Sequence, residues 1–424
     1  MTRAARLGKV LLYSHDSYGL GHLRRNLAVA RHLLGERHPP QVVLASGSPV
    51  LDRVDRPERL VCAQLPPVTK IGPEEYRPLE ANVSMSLVKQ ARSAVLRDVV
   101  LRWRPDVLLV DHAPHGLKGE LLPVFETIES RMLATKVVLG LRDILDEPAR
   151  VRATWVDQGV YETLAAVYDQ VVVYGERDLF DVVDAYGIPE PLASRVEFCG
   201  YVTSEQATPD RAADPAGYVL GTVGGGGDGV DVLVATLEAA RRVGSPAVLC
   251  TGPLMSRADR LTLDRAVARF GSALGVSVLE HVQDLPSLAR GARCVVTRGG
   301  YNTLCELLAV SVPVVVVPRV WPRREQLLRA RAFAGRGLVH VVDPRRGDLG
   351  ERVAAAVVRA SAGGAGTSTG GAGTSAGGGG TSTGGGRPRR PLDLGGARRV
   401  VEVLARTFAD GCDAGAPLGS RIPA

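Results

Sequence analysis

Residues 218–229 read Tyr218-Val219-Leu220-Gly221-Thr222-Val223-Gly224-Gly225-Gly226-Gly227-Asp228-Gly229. A short apolar run stops abruptly in glycines, and residues 230–242 continue with a helical pattern. An apolar strand, a glycine turn and a helix in direct succession form the repeating unit of a parallel α/β sheet. The turn also places several backbone N–H groups at a helix N-terminus, an arrangement suited to a diphosphate. No Lys-Ser/Thr follows, so this is not a Walker loop; a tight turn without a ligand is the alternative.

The same unit recurs in both directions. Apolar, valine-rich runs lie at 9–14, 41–45, 60–63, 107–111, 136–141, 170–174 and 196–199, and again at 218–223, 247–251, 276–280, 294–297, 312–318 and 338–342. They are continuously apolar, as expected of strands covered on both faces. Between them lie helical patterns such as Leu23, Leu27, Ala30 and Leu34. The expected fold class is α/β, with two Rossmann-like parallel-sheet domains in one chain. Residues 1–200 form the first domain and 218–360 the second, joined by a polar, Pro-containing linker at 201–217. Residues 361–391 read as a disordered Gly/Ser/Thr-rich insertion, and 392–424 as a closing helix and tail with Val400, Leu404 and Phe408 at four-residue spacing.

Composition narrows the classes. Thirteen of the 49 glycines fall within 361–386, so the glycine excess is largely that insertion. No apolar run approaches the roughly 18 residues of a membrane span, and the start has no signal-peptide pattern, so a cytoplasmic protein is expected. The net charge of +7 rests on arginine, with only five lysines and 4% aromatics. Without a basic stripe carrying interleaved aromatics, nucleic acid is not an expected partner. The six cysteines show no CxxC pair and are expected as buried free thiols.

Three other turns carry candidate chemistry. The first strand leads into Ser14-His15-Asp16-Ser17-Tyr18-Gly19-Leu20-Gly21-His22. Gly19 and Gly21 allow a tight turn, and the helix dipole favours a neutral imidazole at His22, suited to general base work; capping or lining the turn is the alternative. The run 107–111 ends at Asp111, followed by His112-Ala113-Pro114-His115. Asp111 could orient His22 from a neighbouring strand or simply cap the next helix. The three residues Asp111, His112 and His115 have no distant ligand cluster to join, so no metal is expected. The third turn, Arg298-Gly299-Gly300-Tyr301-Asn302-Thr303 through Glu306, opens another helix, and Arg319 and Trp321 to Gln326 follow the next run. Glu306 could grip a ribose diol.

His281-Val282-Gln283-Asp284-Leu285-Pro286, the stretch Thr297 to Glu306, Pro313, Pro318 and Glu325-Gln326 together resemble the donor domain of GT-B glycosyltransferases, most closely the family that adds N-acetylglucosamine to form lipid II. The first half is similar to a group of bacterial glycosyltransferases inferred from sequence. The resemblance implies a GT-B fold, α/β with two Rossmann-like parallel-sheet domains facing each other across a cleft. It also implies that Gly224, Gly225, Gly226 and Gly227, with Arg298, Gly299, Gly300, Asn302 and Thr303, hold the donor diphosphate. Glu306 would bind the ribose, Arg323, Glu325 and Gln326 the sugar, and the backbone at Val282 the base. His22 would be the acceptor base and Asp111 its partner. Where the family carries a Gly-Gly-Ser-Gln-type loop, this chain has four glycines and Asp228.

The expected reaction moves a hexosyl group from a nucleotide-diphosphate sugar, most simply a UDP-sugar, to an acceptor hydroxyl with inversion. It uses no cofactor beyond that co-substrate, and no metal. Acceptor loops are expected at 66–78 and 142–148. The acceptor itself is a cell-envelope or lipid-linked glycan or a secondary metabolite, and peripheral association with the inner face of the plasma membrane is a further expectation. A nucleotide-sugar 2-epimerase and a non-catalytic nucleotide-sugar-binding protein share the fold. A dehydrogenase is disfavoured because a complete G-x-G-x-x-G with its downstream acidic residue is missing.

Overall fold

The computed structural model describes residues 6–15, 21–72, 75–203, 217–271, 274–280, 282, 284–363 and 391–413. The chain divides into two compact units, Met1–Gln206 with Asp393–Ala424, and Ala207–Leu392.

The first unit runs β1 (Lys9–Ser14), α1 (Gly21–Gly35), β2 (Gln41–Ser46), β3 (Leu60–Gln64), β4 (Val68–Gly72), β5 (Glu75–Pro78), α2 (Met85–Trp103), β6 (Val107–Asp111), α3 (Leu122–Ser130), β7 (Lys136–Arg142), α4 (Pro148–Asp157), α5 (Val160–Val167), β8 (Gln170–Tyr174), α6 (Val182–Tyr186) and β9 (Val196–Phe198). The second runs β10 (Tyr218–Thr222), α7 (Val230–Val243), β11 (Ala247–Cys250), α8 (Arg257–Phe270), β12 (Val276–Leu279), α9 (Leu285–Arg290), β13 (Ala292–Thr297), α10 (Tyr301–Ala309), β14 (Val314–Val316), α11 (Glu325–Gly335), β15 (His340–Val341) and α12 (Leu349–Gly363). A last helix, α13 (Gly396–Asp413), belongs to the first unit.

Each unit holds one parallel sheet, a seven-stranded one ordered β3-β2-β1-β6-β7-β8-β9 and a six-stranded one ordered β12-β11-β10-β13-β14-β15. The strands are apolar on both faces because helices cover both: Val10, Leu11, Leu12, Leu109 and Val110 have no exposed surface, and neither have Val219 and Val295. In each sheet the strand order reverses at the centre, between β1 and β6 and between β10 and β13. Tyr13 pairs with Val110 and Thr222 with Thr297, so the turns that follow these strands start side by side. Such reversal points are where open α/β sheets bind ligands.

Several expectations need correction. Residues 66–78, read as a loop, contain the antiparallel hairpin β4–β5 outside the main sheet. The run 312–318 is a strand only at Val314–Val316, since Pro313 and Pro318 have no N–H for the ladder. Helix α12 continues through Ser361 to Gly363, inside the stretch assigned to the insertion, whereas residues 364–390 lie outside the described ones. Among the thiols, Cys62 is only half-buried. Tyr201 and Val202, placed at the start of the linker, are buried, and Val202 bridges Gly395; residues 204–216 lie outside the described ones.

Those buried residues mark where the chain returns to its first unit. Tyr201 N–H donates to the Asp393 carbonyl at 2.7 Å, and Arg399 Nε on α13 donates to the Cys199 carbonyl at 2.6 Å. Helix α13 then packs on α1, β7 and β8 with Val400 and Leu404 fully buried. Gly396 opens the helix against the backbone, and a Cβ there would lie 2.6 Å from the carbonyl oxygens of Gly200 and Tyr201. Backbone atoms cannot step aside as a side chain can. Gly396→Ala is therefore expected to cost about 1–3 kcal/mol, read as a lower melting temperature of the full chain.

Candidate active site

In the first unit the reversal point carries a charged cluster. Asp111 ends β6 with no exposed surface. His22, the second residue of α1, places Nδ1 at 2.6 Å from Asp111 Oδ2. One helical turn further, Arg25 donates from Nε to Asp111 Oδ1 at 2.8 Å and from Nη2 to Oδ2 at 2.7 Å. Burial alone would push the Asp111 carboxyl up, but the Arg25 guanidinium and the hydrogen bond from His22 outweigh it and hold the group well below the usual carboxylate range. An ionised carboxylate only accepts, so the proton on His22 sits at Nδ1 and leaves Nε2 free to take another. The imidazole is about a fifth exposed, with 21% of its side-chain surface open.

Supporting contacts fix the cluster. The Arg25 guanidinium lies 5.2 Å from the centre of the Tyr174 ring, and Asn26 Nδ2 donates to the His22 carbonyl at 3.0 Å. The loop after β6 is anchored through Glu120, which accepts from Arg92 Nε at 2.5 Å and from the Tyr13 hydroxyl at 2.5 Å. Burial, with the Glu120 charge, pushes the Tyr13 phenol up, so it stays a donor. His112 adopts a left-handed backbone (φ 71°) and its ring centre lies 5.1 Å from that of His22. Burial and the nearby Arg142 push His112 down, so its imidazole is neutral. His115 Nε2 instead lies 2.8 Å from Thr163 Oγ1. Among the described residues, no group of three or more His, Cys, Asp or Glu could hold a metal ion.

In the second unit the turns after β10, β13 and β14 carry the other candidates. The four glycines differ in role. Gly226 is buried with φ 82°, its N–H donates to the Val223 carbonyl, and a Cβ would lie 2.1 Å from the Thr251 carbonyl oxygen. It shapes the turn, whereas Gly224, Gly225 and Gly227 are exposed. Gly299 (φ 85°) turns the chain beneath Val316, whose Cγ1 would lie 2.6 Å from a Cβ, and Gly300 caps α10. Thr303 Oγ1 is 3.7 Å from the Cβ position of Gly224, which brings the two turns together. Asn302 is half-buried beside it, and Glu306 is buried in the next turn of α10.

After β14, Arg319 Nη2 donates to Glu325 Oε1 at 2.5 Å, and the Arg319 N–H donates to Gln326 Oε1 at 3.0 Å. Glu325 and Gln326, expected at the donor sugar, thus hold the strand end; Arg323 is half-buried on the same loop. Arg298 Nη2 donates to Asp231 Oδ1 at 2.5 Å. Val282 is half-buried, and its neighbours His281 and Gln283 lie outside the described residues. Gly19 also lies outside them, while Gly21 is the first residue of α1. Sequence reasoning missed Arg25 and gave no role to Arg319, Asp228 or Asp231. For Arg25 the available signal was its three-residue spacing from His22, which sets both on one helix face.

Comparison with known proteins bears on the fold and on the second unit. Residues 254–362 match the glycosyltransferase family 28 C-terminal domain. A UDP-N-acetylglucosamine–N-acetylmuramyl-(pentapeptide) pyrophosphoryl-undecaprenol N-acetylglucosamine transferase of Halorhodospira halophila is 31% identical over 145 residues, 32% of this chain and 39% of that protein. The protein of the same name from Shouchella clausii is 37% identical over 67 residues, 15% of this chain and 19% of that protein. The chain thus spans less than half the length of these relatives. Among solved structures, the glycotransferase of kitacinnamycin matches with a TM-score of 0.55 at 18% identity, covering 98% of this chain and 100% of that one. LpCGTa in complex with UDP matches with 0.57 at 14%, covering 95% and 99%. The chain therefore has the GT-B fold, with a second unit that resembles the donor domain of the lipid-II-forming family.

The buried Asp111–Arg25 pair has a pH signature. A carboxylate held below its unfolded value stabilises the fold above the ordinary carboxylate range, and that contribution is lost as pH falls through the folded value. Asp111→Asn removes the carboxylate charge that balances the buried Arg25 guanidinium, at a cost of about 3 kcal/mol. Urea unfolding is expected to show the full deficit at pH 7 and 5, and a smaller one at pH 3.

Proposed function

We propose that the chain is a glycosyltransferase that moves a hexosyl group from a nucleotide-diphosphate sugar, with UDP-sugars as first candidates, to an acceptor hydroxyl with inversion. The observation that carries this reading is the pair of glycine turns after β10 and β13, at the reversal point of the second sheet. One of them lies inside the segment that matches a glycosyltransferase domain.

Donor binding falls to the second unit. N–H groups of the exposed Gly224, Gly225 and Gly227, with the N-termini of α7 and α10, would stabilise the negative charge that builds on the departing diphosphate, without a metal or other cofactor. Glu306, buried near the start of α10, suits the ribose hydroxyls. Acceptor activation falls to the first unit. His22 Nε2 takes the proton of the acceptor hydroxyl as its oxygen bonds to the anomeric carbon, while the bond from that carbon to the diphosphate breaks with its electron pair on the leaving group. Asp111 balances the imidazolium that forms, and Arg25 keeps Asp111 ionised and in place.

A lipid-linked glycan is the acceptor class we favour, together with peripheral attachment to a cytoplasmic membrane face. Support comes from the surface around the β4–β5 hairpin and the start of α2. Ile71, Leu79, Leu87 and Leu122 are exposed there, and Lys89 Nζ approaches Gly119 beside Lys118. Apolar side chains among lysines suit an anionic bilayer. No helix among the described residues is long and apolar enough to cross a membrane.

Two measurements test the reading. His22→Ala is expected to lower transfer about 10²–10⁴-fold, in assays containing EDTA, while UDP still raises the melting temperature by binding the native state. Full activity in that variant would end the assignment of His22. On the membrane side, the chain should co-sediment with phosphatidylglycerol vesicles more than with phosphatidylcholine vesicles, and Leu87→Asp should reduce the bound fraction; equal sedimentation with both vesicles argues for a soluble metabolite acceptor instead.

A further inference from the structure

Two arginines stand beside the glycine turn, and each is engaged by an aspartate from that turn or from the helix it opens. Arg298, directly after β13, is held by Asp231 in the first turn of α7. Arg319, after β14, lies between Glu325 on one side and Asp228 on the other, with Nη1 at 3.6 Å from Asp228 Oδ2. Both guanidinium groups bury their Nε with no hydrogen-bond partner among the described residues. A buried donor without a partner is costly and calls for an acceptor.

The aspartates are the unusual part. A diphosphate cradle made of glycine N–H groups and a helix N-terminus attracts anions, and Asp228 and Asp231 put two anions of the chain's own beside it. Their side chains are about half exposed, at 46% and 49%. Glu325, in contrast, is buried and holds Arg319 from behind. An ion pair on a half-exposed carboxylate is weak. A diphosphate carries more charge and presents oxygens that a guanidinium can grip in pairs. Arg319 can therefore keep Glu325 and exchange Asp228 for phosphate without losing its anchor.

We propose that Asp228 and Asp231 compete with the donor's phosphates for Arg319 and Arg298, which makes Arg319 a phosphate-binding residue and Asp228 the residue that limits how tightly a nucleoside diphosphate is held. This rests on the reading of the second unit as a nucleotide-sugar site and deepens it. The competition has a use. The departing nucleoside diphosphate keeps both phosphates and would otherwise bind as well as the donor, so carboxylates that reclaim the arginines favour its release.

The test is calorimetric titration of the full chain with UDP and UMP, with dTDP and GDP in parallel. Asp228→Asn is expected to tighten UDP about threefold and to change UMP less, because UMP lacks the second phosphate. Arg319→Gln should weaken UDP about tenfold, and the gain from Asp228→Asn should vanish in the double variant, since the two act through one contact. Asp231→Asn should tighten UDP in the same direction. If Asp228→Asn weakens UDP or leaves it unchanged, the competition does not exist. If the unaltered chain binds none of UDP, dTDP and GDP, the nucleotide-sugar reading falls, and this proposal with it.

Discussion

A parallel sheet whose strand order reverses at its centre must send two neighbouring chains away to opposite faces, and the space between their departures is not filled by backbone. In both units that constraint sets the position of the central candidate residues. Between β1 and β6 it brings His22 to Asp111 across 89 residues of sequence. Between β10 and β13 it sets the four-glycine turn beside Gly299 and Thr303. The rest of each unit serves to keep those four strands flat-packed and covered, through valine-rich cores and helices on both faces.

What happens at the two reversal points differs in electrostatic character. In the first unit a carboxylate is fully buried and doubly held, so it stays ionised through the ordinary carboxylate range and its geometry is stiff; removing it leaves a buried cation without its balancing charge. In the second unit two of the carboxylates, Asp228 and Asp231, are half exposed, and pairs with such carboxylates cost little to break. A fixed cluster suits a group that must present one tautomer in one orientation. Exchangeable pairs suit a site that a charged ligand enters and leaves.

The strands were readable because both their faces are buried, which writes an uninterrupted apolar run into the chain at 9–14, 107–111 or 218–222. The β4–β5 hairpin was not, because Val68–Gly72 and Glu75–Pro78 mix charge with apolar residues and stand apart from the core sheet. His22 and Asp111 could be named because each sits at a strand or helix boundary, where spacing carries meaning. Arg25 could not: in an arginine-rich chain, beside Arg24, a guanidinium buried in a helix looks like any surface cation until its carboxylate is located. The same holds for Arg319, whose partners Asp228 and Glu325 come from separate turns. Amphipathicity told that α13 buries a face and was silent on which unit receives it.

The return of α13 imposes an order of assembly. The first unit is stitched by contacts such as Asp393 to Glu176 and Arg399 to Cys199, which span 217 and 200 residues. A ribosome delivers residues 1–206 early, yet the helix that covers β7 and β8 emerges only after the whole second unit has been made. The second unit is continuous in sequence and can complete itself first, while the earlier one waits with an apolar surface open. The unit made first is therefore the one finished last, and its uncovered face is the stretch of the nascent chain most in need of a chaperone.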